Sequence, residues 1–189
     1  MENRKFKKRF TGFAALAAAL MLAFNPPVMA EAAVKTKTTT QVFYCLDGLS
    51  KKLPVKVYGK DTLALTWNIS TKNIVSVKGK QTPKNIAGVN MIEKGGMKVQ
   101  KVSAKVWKVT ATWYLNTKPL KDSKVGSAVC RLIPQLKTIA GYGRFLRVRE
   151  VYTLKGNGTI RKTSQKYSVV LPEKLQNTIE DLLILLELK

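Results

Sequence analysis

Few side chains of this 189-residue chain could do chemistry, and their types exclude most catalytic and metal sites. The sequence contains no histidine, so it lacks the commonest acid–base residue and the commonest metal ligand. Its two cysteines, Cys45 and Cys130, are too few for a four-thiolate zinc site or an iron–sulfur cluster. We therefore expect that the protein binds no metal and needs no other cofactor.

Carboxylates are the remaining candidates for catalysis, and they form no recognisable motif. An active site usually needs an acid, base or nucleophile with a perturbed pKa and positioned partners. Without histidine no serine has its usual activating base, so we expect a non-enzymatic protein. The acidic residues in the body of the chain are Asp47, Asp61, Glu93, Asp122 and Glu150.

Positive charge is the strongest signal in the sequence. The chain has 34 lysines and arginines against 11 acidic residues, and residues 35–149 hold 23 basic and four acidic ones. Lysine and arginine are rarely buried unpaired, so most of them must face solvent. This predicts binding to an anionic polymer such as lipopolysaccharide, an acidic glycan or nucleic acid. The alternative is a solvated cationic surface that only maintains solubility.

One group of basic residues predicts a local anion site. Arg147 and Arg149 share the face of a predicted strand, and antiparallel pairing would bring Arg161 near them. The planar fork of arginine suits bidentate recognition of an anion, whereas the lysines that dominate elsewhere suit diffuse contact. The predicted anion-binding residues are Arg144, Arg147, Arg149, Arg161 and Lys162.

Residues 1–30 have the pattern of a secretory signal peptide. Five basic residues precede an uncharged apolar stretch, and Val28-Met29-Ala30 fits the small-residue cleavage rule. The apolar stretch is too short to span a bilayer, and no later stretch is long and apolar enough. Cleavage would leave 29 basic and ten acidic residues. We expect an exported protein of the bacterial envelope, either periplasmic or secreted.

Export makes a disulfide between Cys45 and Cys130 the expected state of the two thiols. Disulfides form and persist in oxidising compartments, and these are the two cysteines of the chain. A bridge across so long a loop would stabilise the fold by about 4–5 kcal/mol in the loop-entropy model.

Hydrophobic alternation predicts a mainly β domain over residues 42–171, after a flexible leader at 31–41. Leu63, Leu65 and Trp67 alternate with small or polar residues, which is typical of a half-buried strand. The apolar phase changes at Val106-Trp107, which predicts a bulge or a sharp bend there. The runs 144–154 and 159–170 flank Gly156-Asn157-Gly158 and predict a hairpin. Residues 125–132 predict a further strand. The expected fold is a small antiparallel barrel or sandwich.

Residues 172–189 predict a C-terminal helix. Pro172 suits the first helical turn, and Leu175, Ile179 and Leu182 fall on one stripe. The last turns are apolar on nearly every side, so the helix must be buried against something. It packs on the domain's own sheet, or it docks on a partner or a second copy. In the second case the protein would be a component of an envelope or secretion assembly.

The start of the predicted domain resembles a known family. The stretch 42–48 (VFYCLDG) and the following Val57-Tyr58 resemble the opening of periplasmic lysozyme inhibitors of the membrane-bound c-type class and of the related adhesin complex proteins. The resemblance implies a small disulfide-closed β-barrel and adhesin-like or inhibitor-like binding. The Ser-Gly-x-Ala-Arg-Tyr type loop of the inhibitors is absent, so no inhibitory residue is transferred. A cationic inhibitor would also be repelled by the cationic c-type lysozymes.

Overall fold

Seven strands in two antiparallel sheets make up most of the described chain. The computed structural model describes residues 34–47, 57–86, 88–121, 123–132 and 134–170, together with Leu175, Asp181 and Ile184. The predicted signal peptide lies outside the described residues. The predicted C-terminal helix at 172–189 lies outside them too, apart from those three isolated positions.

The first sheet has three strands in the order β1-β2-β3, and the second has four in the order β4-β5-β6-β7. A single-turn 3-10 helix at Lys118–Leu120 and two α-helices lie between β5 and β6. The bounds are β1 Thr36–Cys45, β2 Tyr58–Asn68, β3 Ile74–Lys84, β4 Ile92–Lys101, β5 Val106–Asn116, α1 Lys124–Leu132, α2 Gln135–Ile139, β6 Arg144–Lys155 and β7 Ile160–Val169.

The two sheets pack against each other through their alternating apolar faces. Leu63 and Leu65 of β2 share one buried cluster with Val109 of β5 and Tyr152 of β6. A second cluster joins Trp113 of β5 to apolar residues of the helical segment, including Leu136. The mainly β prediction is confirmed, but the barrel alternative is wrong because the strands form two separate sheets.

The predicted 144–170 hairpin is confirmed and forms half of the larger sheet. β6 and β7 pair in antiparallel register from Leu146↔Val169 to Leu154↔Ile160. Gly158 in the connecting turn has φ +89°, a conformation that glycine adopts without strain. The hairpin therefore fixes which side chains of β6 and β7 stand on the same face.

The first strand begins inside the segment that was predicted to be a flexible leader. β1 starts at Thr36, and Thr38 Oγ1 lies 2.8 Å from Thr66 Oγ1 of β2. Threonine is β-branched and stiff, and it suits a strand when a partner strand lies alongside. The 31–41 prediction was therefore wrong from Thr36 onward.

Residues 124–132 form helix α1, so the predicted strand is wrong. Ser123 Oγ accepts a hydrogen bond from the backbone N–H of Gly126 at 2.8 Å, which caps the first turn. Gly126 and Val129 are buried on one side of the helix. A side chain on Gly126 would collide with the Leu120 carbonyl, so this glycine lets the helix approach the 3-10 turn closely.

At Val106-Trp107 the structure shows the sharp bend and not the bulge, because the chain turns between two strands just before this position. β4 ends at Lys101 and β5 begins at Val106. Ser103 Oγ accepts the backbone N–H of Val106 at 3.1 Å inside this turn. Val102 and Ala104 lie in this turn, whereas the apolar residues from Trp107 to Leu115 alternate along β5.

The expected disulfide is absent, since Cys45 and Cys130 are both free cysteines. Cys45 is fully buried at the end of β1, and Cys130 lies on α1 at the edge of the same apolar cluster. Cys130 therefore lies on a helix and not on the strand that residues 125–132 were expected to form. Burial raises the pKa of the Cys45 thiol, and the negative charge of Glu150 raises it further. The Cys45 thiol is therefore protonated and unreactive at neutral pH.

No helix among the described residues combines the length and the apolar character that crossing a bilayer requires.

Candidate functional site

The outward-facing side chains of the four-stranded sheet form the candidate site, which we call the outer face. Along β6 the residues at even positions from Leu146 to Leu154 are buried, and the odd ones between them are half-buried or exposed. The register places Thr112 of β5 opposite Arg149 and Lys166 of β7 opposite the same arginine. Alternation along each strand thus carries one set of side chains to solvent across the whole sheet.

The outer face is strongly basic. Arg149 and Lys166 are exposed and directly opposite each other on neighbouring strands. Like charges in such positions repel, and no carboxylate stands on their row of the face. The basic residues at outward positions of the described sheet are Lys98, Lys108, Arg147, Arg149, Lys155, Arg161 and Lys166.

One end of the outer face is electrically compensated. Arg144 Nε lies 2.7 Å from Glu93 Oε2, and the Arg144 guanidinium covers the Tyr114 ring at 4.4 Å from its centroid. Asn116 also donates a hydrogen bond to Glu93. Partial burial acts to raise the pKa of Glu93, but the hydrogen bonds from Asn116 and Arg144 and the charge of Arg144 lower it overall. The positive charge of Arg144 is therefore largely compensated by Glu93 within the protein.

The structure divides the five predicted anion-binding residues into different places. Arg147 and Arg149 lie two residues apart on the outer face, as the alternation predicts. Arg161 is on the same face but pairs with Thr153, so it lies about 13 Å along the sheet from Arg149. Lys162 is not on this face. Its Nζ lies 2.6 Å from the fully buried Glu150 Oε1 and 3.2 Å from the Tyr44 carbonyl oxygen.

A shallow groove of about 440 Å³ crosses the outer face between β4 and β6. Two glycines of β4 line one side of it, and the charged side chains of Lys98 and Arg149 line it as well. Threonine hydroxyls from β5 supply hydrogen-bonding groups between them. The lining residues are Gly95, Gly96, Met97, Lys98, Gln100, Thr110, Thr112 and Arg149.

The groove exists because β4 bulges at Gly95-Gly96. The register shifts between Lys94 and Gly96, and Gly96 has φ +94°, which disfavours any residue with a side chain. A Cβ on Gly95 would lie 2.7 Å from a Thr112 methyl carbon. Gln81 of β3 holds the bulge, since its Oε1 accepts the Gly96 N–H at 2.9 Å and its Nε2 donates to the Thr112 carbonyl at 3.0 Å.

Two fully buried acids lie between the two sheets, Glu150 on the inner face of β6 and Asp61 on the inner face of β2. Tyr152 OH lies 2.8 Å from Asp61 Oδ2 and 2.5 Å from Glu150 Oε2, so one phenol joins both carboxyl groups. Trp113 Nε1 donates to Asp61 at 3.2 Å, and Lys162 completes the set by its ion pair with Glu150. We call these five residues the buried acid network. It connects β2 of the first sheet to β5, β6 and β7 of the second.

The two contacts between Tyr152 and the carboxyl groups need two hydrogens. The Tyr152 hydroxyl has one, so it can donate to only one of the two carboxyl groups. The second contact is complete when a carboxyl group carries a proton and donates it to the phenol oxygen. Glu150 Oε1 already has the Lys162 ammonium as its partner. Burial raises the pKa of Asp61 to about 6, despite the hydrogen bonds from Tyr152 and Trp113, so Asp61 holds the proton below that pH.

The buried acid network has a consequence for the outer face. Asp61 and Glu150 are 0 % exposed, so their negative charges do not reach solvent. The surface is therefore more positive than a count of acidic residues indicates. Because both carboxyl groups are sealed between the sheets, they offer no contact to an external ligand.

Sequence reasoning missed the groove and half of the outer face. Adjacent glycines in a sequence usually indicate a turn, but Gly95-Gly96 form a bulge within β4. Four cations of the face were not singled out: Lys98, Lys108, Lys155 and Lys166. Lys108 and Lys155 lie at the parity opposite to the buried residues of their strands, and this alternation was the available signal for them. Lys98 and Lys166 lie beyond the register shifts of β4 and β7, so alternation along the strand does not place them on this face.

Among the described residues no three potential metal-ligating side chains lie together. In comparisons with known proteins, no family model, curated sequence or solved structure matches the chain. The resemblance to lysozyme inhibitors and adhesin complex proteins therefore stays a prediction.

Proposed function

We propose that the protein is an exported, non-enzymatic binding protein of the bacterial envelope, and that its outer face binds an anionic polymer. The observation that carries this proposal is the row formed by Arg149 and Lys166, two opposed cations with no carboxylate between them. Their repulsion destabilises the protein when no ligand is bound. A negatively charged group placed between them would remove it.

The spacing of the face supports repeated contacts along a chain-like ligand. Outward positions on one strand repeat about every 6.7 Å, and neighbouring strands lie about 4.8 Å apart. A polymer with regularly spaced anionic groups can therefore meet several cations at once. Each such contact releases a counterion, so the affinity must fall steeply as salt rises.

Matched charge variants test the proposal. Arg147→Gln, Arg149→Gln and Lys166→Gln together remove three cations from the outer face. The control removes three cations from the outward face of the other sheet, through Lys60→Gln, Lys78→Gln and Lys80→Gln. Both variants change the net charge equally, and all six positions are half-buried or exposed.

Retention on immobilised heparin and on lipopolysaccharide is measured against a salt gradient. We expect the outer-face variant to elute at clearly lower salt, with a logarithmic salt slope reduced by about 2 to 3. The control variant should elute near the wild-type position. Equal shifts in the two variants would show that only net charge matters. An absence of retention of the wild-type protein at low salt would contradict the function itself.

A further inference from the structure

We propose that the groove at Gly95-Gly96 is a subsite for an acidic polysaccharide, in which Arg149 binds the anionic substituent of one sugar. This inference rests on the proposed function of the outer face and names the ligand class of that face. The groove is a depression lined by defined hydrogen-bonding groups, whereas the surrounding lysines attract anions only through a diffuse electrostatic field.

The groove is preorganised. Gln81 is 93 % buried and comes from the opposite sheet, and its amide bridges the Gly96 N–H and the Thr112 carbonyl across the bulge. The backbone of β4 is therefore held in its bulged form without a ligand. Preorganisation lowers the entropic cost of binding, because the site does not have to be ordered by the ligand.

Glycine keeps the groove open. A Cβ built on Gly96 meets no atom within 4 Å, so this position faces open space. A sugar ring can approach the bare backbone there, because glycine permits close approach of the backbone to a ligand. The groove volume of about 440 Å³ lies within the range of about 300–1,000 Å³ that small-ligand pockets show.

The lining chemistry favours a sugar over a nucleotide. Thr110 and Thr112 offer hydroxyls and Gln100 offers an amide, which match the many hydroxyl groups of a polysaccharide. Single-stranded nucleic acid binds largely by stacking its bases on aromatic rings, and the groove lining contains none. The nearby Tyr114 ring is already covered by the Arg144 guanidinium.

The anionic group of the ligand belongs at Arg149. The β5–β6 register places Arg149 opposite Thr112, and both residues line the groove. A carboxylate or a sulfate can accept two parallel hydrogen bonds from the planar guanidinium. A lysine there would supply the charge but not this geometry.

Charge-neutral substitutions separate this subsite from the diffuse attraction. Thr112→Val removes one groove hydroxyl and keeps the size and β-branching of the side chain. Thr153→Val is the matched control, since Thr153 is at an outward position of β6 and does not line the groove. Arg149→Lys keeps the positive charge and removes the planar fork. Far-ultraviolet circular dichroism and the urea midpoint establish that each variant is folded.

Affinities are measured at about 0.15 M salt for heparin, polygalacturonate and a 20-nucleotide poly-dT strand. We expect Thr112→Val and Arg149→Lys each to weaken binding of both polysaccharides roughly fivefold, the worth of about one hydrogen bond. Thr153→Val should leave all three affinities unchanged, and poly-dT binding should not respond to Thr112→Val.

Two results would overturn the subsite. If every charge-neutral variant binds the polysaccharides like wild type while binding stays salt-dependent, the outer face acts by charge alone and its proposed function survives. If poly-dT loses affinity in parallel with the polysaccharides, the groove is not selective for sugars. Complete absence of polymer binding by the wild-type protein would instead remove both proposals.

Discussion

The two faces of strand β6 differ in whether their charged side chains have oppositely charged partners. On the inner face, Glu150 is fully buried and holds an ion pair with Lys162 and a hydrogen bond from Tyr152. On the outer face, Arg149 stands one residue away and faces another cation, Lys166, across the strand pair. Inside the protein the charges are matched to partners, whereas on the outer face Arg149 and Lys166 have no oppositely charged partner on their row.

This difference explains how a modest number of buried groups shapes the surface. A buried carboxylate must be paired or protonated, because leaving it alone in an apolar interior is very costly. The buried acid network meets that requirement with a tyrosine, a tryptophan and one lysine. It also keeps both carboxyl groups away from the surface, so they do not neutralise the cations of the outer face.

The neighbours Arg161 and Lys162 give the strongest test of this comparison, because they lie on opposite faces of β7. Lys162→Met leaves the buried Glu150 carboxylate without its counterion, and we expect the free energy of unfolding to fall by about 3–5 kcal/mol. Arg161→Met removes an exposed cation and should change the stability by no more than about 0.5 kcal/mol. Urea unfolding at pH 7 measures both.

Heparin retention should reverse the order of these two variants. Arg161→Met should elute at lower salt than wild type, while folded Lys162→Met should elute near it. If Lys162→Met does not fold, the double variant Glu150→Gln plus Lys162→Met keeps the Tyr152 contact and removes both charges, and it should recover most of the stability. Equal stability of the two single variants would refute the buried ion pair.

The protonation of Asp61 predicts a pH dependence of stability. The pKa of Asp61 is raised to about 6 from an ordinary value of 3.8, so between these values the folded protein binds more protons than the unfolded chain. The free energy of unfolding must therefore fall as pH rises through this window, by up to about 3 kcal/mol. The stability gained from the neutral acid is fully present near pH 4 and is lost above pH 6.

Asp61→Asn isolates this contribution, because asparagine cannot ionise and keeps an acceptor for Trp113. Urea midpoints are compared at pH 4, 5, 6 and 7 for both proteins, so that effects of all other groups cancel in the difference. The wild-type stability should decline relative to that of Asp61→Asn as pH rises. A difference that stays constant with pH would show that Asp61 ionises in the folded protein as it does in the unfolded chain.

The strand pattern was the part of this fold that the sequence revealed. Alternation identified β2 and the β6–β7 hairpin, and it placed Arg147 and Arg149 on one face. These predictions succeeded because alternation along a strand relates residues that are only two positions apart, and the sequence alone shows those residues. The same reasoning missed that Lys162 is turned inward. Its partner Glu150 is twelve residues away, and only the register of the hairpin joins them.

The predictions that failed depended on tertiary contacts. Helix α1 contains valines, which suit a strand as well, and its Ser123 cap becomes informative only when the turn before it is known. The disulfide was inferred from compartment and from the number of cysteines, which say nothing of the distance between Cys45 and Cys130. The groove depends on Gln81, a residue from the other sheet that no local pattern connects to Gly96.

The smallest expected effect distinguishes a paired cation from an unpaired one on the same face. Arg144 and Arg149 are both arginines of β6, but Arg144 is bound to Glu93 and covers Tyr114. Arg144→Gln should therefore cost stability by less than about 1 kcal/mol, the usual worth of an exposed ion pair. It should also shift heparin elution less than Arg149→Gln, because the loss of the Arg144 charge is offset within the protein.

The two variants carry the same net charge, so any difference in their elution comes from local compensation. In the Glu93→Gln background that compensation is gone, and removing Arg144 should then shift elution as much as removing Arg149. If Arg144→Gln already matches Arg149→Gln in the wild-type background, the pairing with Glu93 does not shield the charge from a polymer. The basic face would then extend to its compensated end, and its ligand would contact all of β6 and not only the centre of the strand.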